Sequence, residues 1–206
     1  MRASAAIIGT AVLLGLILQI VDVWQTRFEA PTLPGVLWYV ARYFTILTNG
    51  LIAVSFLAIG LGRRPGAVWT GGLVLWILIT GIVYHLLLAG VQPNRLAWWA
   101  DVLLHSVSPV LVTLWWVVFA PKTGLGLGGA LSWLLWPALY CGYALLRGLG
   151  DGVFPYFFLD PGRVGWSGVL AWIGLLLVAF ALGALVVLGM ARVIERRRGS
   201  GARLHP

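Results

Sequence analysis

Three polar clusters interrupt long apolar runs in this 206-residue sequence, and each carries side chains able to do acid–base or nucleophilic chemistry. Arg42, Thr45, Thr48 and Asn49 form the first, His85 stands alone as the second, and Asp101 with His105 forms the third. On a helix, residues three or four apart share a face. Residues 42, 45 and 49 therefore line one stripe with Thr48 beside it, and Asp101 and His105 line another that Ser108 continues. A threonine hydroxyl is a poor nucleophile unless a base takes its proton during attack, and a neutral imidazole does this near pH 7. A carboxylate one turn away selects the imidazole tautomer. Hydroxyl, imidazole and carboxylate together make up the nucleophile, base and orienter of an acyl-transfer site. Thr45 and Thr48 both qualify as the hydroxyl; His105 is the base and Asp101 the orienter. Arg42 or Asn49 would stabilise a developing oxyanion or hold a substrate carboxylate, and Thr48 and His85 complete the expected binding set.

The composition requires a membrane to hold these groups. Apolar residues make up 61% of the chain and charged residues 10%, against about 45–50% and 25% in soluble domains, and the mean hydropathy is +0.97. A globule of this size exposes too much surface to hide that much apolar area. A spanning helix takes about 20 apolar residues, and six segments qualify, at 3–23, 35–61, 67–90, 97–120, 129–149 and 166–193. Between them lie EAPTLPG at 29–35, GRRPG at 62–66, QPNR at 92–95, PKTG at 121–124 and DGVFPYFFLDPGR at 151–163, all rich in helix breakers. The runs do not alternate as barrel strands do. The expected fold is all-α: one polytopic domain over 1–206, a bundle of six transmembrane helices with a basic tail at 194–206. The first segment lacks a clean cleavage site and reads as an uncleaved span rather than a signal peptide. The lone Cys141 excludes an internal disulfide.

Charge supplies the orientation. With six spans both termini share one side, which collects nine of the 14 basic residues, while the opposite side collects five of the six acids. The positive-inside rule places both termini in the cytoplasm of a cell-membrane protein. The net charge of +8 then reads as topology and as contact of the tail ERRRGSGARLHP with anionic headgroups, not as nucleic-acid binding. With this topology, Thr45 lies about 15 Å, His105 about 12 Å and His85 about 8 Å below the outer ends of their spans at 1.5 Å per residue. Costly polar groups from three helices thus share one depth, as a buried cavity in the outer half of the membrane requires.

The blocks RYFTILTNGLIA at 42–53, DVLLHSVSPVL at 101–111, WWVVFAPK at 115–122 and FPYFFLDPGRVGW at 154–166 resemble the androgen-induced-protein-like membrane family, in its six-spanning prokaryotic branch. The resemblance runs from span two through span six and rests on the order and spacing of the blocks. Animal members of that family are intramembrane threonine hydrolases of branched fatty-acid esters of hydroxy fatty acids. By motif position the resemblance implies Thr45 as nucleophile, with Thr48 its competitor, and His105 as the histidine. The expectation is a cofactor-free hydrolase of lipid esters whose amphiphilic substrate enters sideways from the bilayer.

Two other functions fit the same residues. His85, His105 and Asp101 could ligate zinc in a hydrolase, although no HExxH-like spacing supports it. A lipid or small-molecule binder, or a transporter, would also use a polar cavity, but the two halves show no inverted repeat. The aromatic loop FPYFFLDPGR suits an interfacial belt or a lid with Asp160 facing the site. The glycine-rich stretches at 9–15 and 124–129 allow close helix contact within or between chains; the sequence does not indicate an oligomeric state.

Overall fold

Every regular element in the computed structural model is helical; it describes residues 1–29 and 31–201, so Arg203 and His205 of the expected tail lie outside the described residues. Five helices are long and apolar enough to cross a membrane: α1 (Arg2–Thr26), α4 with its extension (Ala67–Leu88), α5 and α6 joined (Arg95–Phe119), α7 and α8 joined (Leu127–Asp151), and α9 (Pro161–Gly201), counted as a span to Arg198. The run expected as one continuous second span is instead bent by 104° between α2 (Leu33–Val40) and α3 (Phe44–Gly60). Counted as one broken span, the pair brings the total to six.

The bend at 41–43 frees backbone carbonyls that lipid could not satisfy, and one face of α8 (Leu135–Asp151) repairs them. Tyr140 donates to the Arg42 carbonyl at 2.7 Å, Tyr143 donates to the Ala41 carbonyl at 3.1 Å, and Arg147 donates to that of Trp38. Residues 140, 143 and 147 fall on one helical face, so a single helix holds the corner from below. Arg147 also stacks on the Trp38 ring at 3.9 Å. Arg42, itself buried, reaches across to Asp151 Oδ2 at 3.0 Å and to the Val153 carbonyl at 3.1 Å, tying the corner to the connection after α8.

Proline produces two further departures from α geometry. Between α5 (Arg95–Val102) and α6 (Ser108–Phe119) the chain widens into a π turn over Leu103–Val107, with the Ser108 amide bonding the Leu103 carbonyl. Pro109 has no N–H to offer the carbonyls behind it. The Leu104 carbonyl loses both its α partner, diverted to Leu103, and its π partner, Pro109. The Asn49 amide takes its place at 3.3 Å. Pro137 has the same effect between α7 (Leu127–Ser132) and α8: the Trp133 carbonyl, left without an amide one turn on, accepts from Trp76 Nε1 at 2.8 Å. A second π turn, Tyr84–Leu88, ends the third crossing.

The core lies along the crossings of α1 with α3 and of α4 with α6 and α9, centred on Ile52, Phe56, Leu73, Ile77 and Trp116. Gly71 lets the Trp133 ring approach α4, since a Cβ there would sit 2.4 Å from the ring. Both ends of the described chain share one end of the bundle: Trp115 Nε1 donates to the Met1 carbonyl, and Arg198 donates to those of Val117 and Val118. Lys122, in the connection beside them, closes α6 by donating to the Trp116 and Ala120 carbonyls. The corner at 41–43 and the connections at 89–94 and 152–160 occupy the opposite end.

Candidate active site

The bend and the π turn bring two of the sequence-identified side chains together. Thr45 is the second residue of α3, immediately after the corner, and its Oγ1 lies 3.2 Å from His105 Nε2. His105 sits in the middle of the π turn. Its Nδ1 lies 2.9 Å from Asp101 Oδ1 and 3.3 Å from the Asp101 carbonyl, so the far nitrogen is tied back to its own helix. With the proton on Nδ1, Nε2 presents a lone pair to the Thr45 hydroxyl.

Two tyrosines not singled out from the sequence complete the site. The Tyr84 ring stacks on His105 with centroids 3.7 Å apart and planes 15° apart. Its hydroxyl accepts from Gln92 Nε2 at 3.1 Å. Tyr84 thus holds the plane of the base. The second tyrosine, Tyr156, comes from the connection at 152–160. The Phe44 amide, next to Thr45 in the chain, donates to its hydroxyl at 3.1 Å. Loss of water around it pushes the Tyr156 phenol up, so it remains a proton-bearing donor at neutral pH. The Phe44 amide, one of the first-turn N–H groups of α3 without a helical partner, thus points at Tyr156 from the positive end of the helix dipole.

The remaining candidates lie elsewhere. Thr48 is fully buried and accepts from Trp136 Nε1 at 3.0 Å, so the structure places it toward α8 rather than toward His105. Asn49 is occupied with the carbonyls of Thr45 and Leu104, and its Oδ1 has no partner. Arg42 clamps Asp151 and Val153. His85 faces outward and pairs with Ser106 Oγ at 3.1 Å. None of these four lines either cavity at Thr45. Ser108 is buried without a partner. Asp160 bonds the Gly162 amide and pairs with Arg163, so it caps the short helical turn that precedes the break of α9 at Gly165 (φ 68°) rather than facing the site. Among the described residues no three His, Cys, Asp or Glu side chains converge as metal ligands, and His85 points away from the Asp101–His105 pair.

Thr45 lies on the boundary between two cavities. One is walled by aliphatic and aromatic side chains including Ile79, Ile173, Leu176 and Phe180, and Tyr156 lines it together with Thr45. The other brings Gln19, Asp22, Arg27, Gln92 and His105 together among apolar residues such as Val40 and Leu104. No family model, curated protein or solved structure matches this chain.

Proposed function

We propose that this chain is an intramembrane threonine hydrolase of lipid esters. The observation that carries the reading is the contact of Thr45 Oγ1 with His105 Nε2, backed by Asp101 on the opposite nitrogen. The Thr45 oxygen attacks the ester carbonyl as its proton passes to His105 Nε2. The resulting oxyanion is held by the Phe44 amide and by the Tyr156 hydroxyl, which swings from that amide to donate to it. Collapse breaks the ester C–O bond, and His105 returns the proton to the leaving alcohol oxygen. The acyl group is then carried on Thr45. Water attacks it, gives one proton to His105, and releases the fatty acid as Thr45 recovers that proton. Asp101 and Tyr84 act through His105, by holding its tautomer and its plane.

The sequence resemblance to the androgen-induced-protein-like family supports the same chemistry, through the same two residues. The charge distribution supports a cell-membrane protein with both termini in the cytoplasm, which puts the site in the outer half of the bilayer. A fluorophosphonate probe tests the reading. The parent protein and Thr48→Ala label, and Thr45→Ala and His105→Ala do not; an unlabelled parent, or labelled Thr45→Ala, overturns it. The apolar cavity alone would suit a lipid binder equally well, and turnover of an ester separates catalysis from binding.

A further inference from the structure

We infer that the ester cleaved at Thr45 joins one aliphatic acyl chain to a polar alcohol bearing an anionic group, as in a single-chain phospholipid, and not to a second aliphatic chain. This rests on the hydrolase reading and adds the orientation of the substrate. Thr45 borders both cavities, whereas His105 borders the polar one and not the apolar one. His105 must give its proton to the oxygen that leaves, so the leaving alcohol has to depart on the His105 side. The acyl chain then lies against the apolar wall of Ile79, Ile173, Leu176 and Phe180. Deacylating water reaches the acyl-threonine from the polar side, where the same histidine can activate it.

The lining of the polar cavity identifies the alcohol. Asp22 is buried, with one carboxylate oxygen taken by Asn94 at 2.7 Å. The other can accept from a substrate hydroxyl. Gln19 and Gln92 bring amide groups, and Arg27 adds a guanidinium that forms no ion pair with any described carboxylate. An aliphatic chain in this space would strip water from the buried Asp22 carboxylate and return no hydrogen bond, which is strongly unfavourable. A glycerol hydroxyl and a phosphate meet Asp22 and Arg27.

The test measures kcat/KM of the full-length protein in detergent micelles for 1-palmitoyl-lysophosphatidylglycerol, 1-monopalmitoylglycerol and palmityl palmitate. All three share the acyl group and differ in the alcohol. The expected order is the lysophospholipid first, monopalmitoylglycerol second and the wax ester last, with about tenfold or more between the first and the last, or roughly 1.4 kcal/mol. Arg27→Gln narrows the ratio between the first two. Hydrolysis of palmityl palmitate as fast as monopalmitoylglycerol overturns the orientation and leaves the hydrolase reading standing. Failure to cleave any of the three overturns both. Should Arg27→Gln fold poorly, the uncleavable ethers give an independent measure on the parent protein. 1-Hexadecyl-glycerol-3-phosphate should raise its thermal midpoint and dihexadecyl ether should not; the reverse overturns the inference.

Discussion

Replacing Asp101 by Asn tests the site at the point where geometry and chemistry separate. The substitution keeps the size of the side chain but removes the charge 2.9 Å from His105 Nδ1. A carboxylate accepts only, so it holds the proton on Nδ1 and leaves Nε2 free to take one from Thr45. An amide can rotate to donate to Nδ1, which moves the ring proton to Nε2 and leaves Thr45 without a base. General-base catalysis of this kind is worth about 10²–10⁴ in rate. Here the Asp101 carbonyl, 3.3 Å from Nδ1, remains as a second acceptor for the correct tautomer, and the stacked Tyr84 ring holds the plane. The loss should therefore fall in the lower part of that range, about 10²–10³ in kcat, or roughly 3–4 kcal/mol at 1.4 kcal/mol per factor of ten. Initial rates on monopalmitoylglycerol measure it, with the thermal midpoint as a check that folding is intact. An Asp101→Asn protein that folds normally and turns over within threefold of the parent would refute the assigned role and the tautomer argument with it.

Thr48→Ala should keep most activity while lowering stability by about 1 kcal/mol, because the half-buried Trp136 N–H loses its acceptor; Thr45→Ser should keep turnover that Thr45→Ala abolishes. Tyr156→Phe should reduce kcat by about 10², the usual loss of one oxyanion donor, and a change confined to KM would place the phenol in binding instead. Gly71→Ala should cost about 1–3 kcal/mol of stability through overpacking, read as a lower thermal midpoint, since the Trp133 ring facing it is pinned to the Val68 carbonyl at 2.7 Å and cannot retreat. Asn49→Leu should destabilise the protein by about 1–3 kcal/mol by leaving the Leu104 carbonyl bare in the core, and unchanged unfolding would refute the strap.

The helical class and the apolar crossings were legible because hydrophobicity and length decide them, and both are properties of the sequence. Thr45 and His105 were legible too, since a depth argument needs only the rise per residue and an orientation. Rotation about each helix axis was not. His85 has the right depth, yet the π turn in which it lies leaves it facing outward while its neighbour Tyr84 covers His105. Each π turn adds a residue to one turn and shifts the face of everything beyond it, so a stripe drawn with α periodicity fails there. The bend at 41–43 was hidden for a related reason. Ala41, Arg42 and Tyr43 include neither proline nor glycine, and what stabilises the corner is a set of donors about 100 residues further along the chain.

Polar residues within the spans therefore have a structural use besides chemistry. Any departure from α geometry inside a bilayer strands carbonyls or amides, and each must find a partner within the protein. The corner, the π turn at His105 and the proline breaks all lie in or beside spans, and they recruit Tyr140, Tyr143, Arg147, Asn49 and Trp76 for that purpose. A polar side chain in a span is thus evidence of irregular backbone as much as of function. The distinction is whether its polar atoms are spent on backbone or left facing a cavity. Asn49 spends its amide on two carbonyls, and Arg42 is spent on Asp151 and Val153. Thr45 and His105 spend theirs on each other at the wall of a cavity. The irregular backbone is nevertheless what makes the site, because the corner turns the Phe44 amide toward Tyr156 and the π turn carries His105 to Thr45. Straightening the π turn tests that dependence. Pro109→Ala restores an N–H one turn beyond His105, which favours regular α geometry and should pull the imidazole away from Thr45. Activity should fall with stability kept or raised, and a variant that gains stability while retaining full kcat would show that the bulge does not position the base.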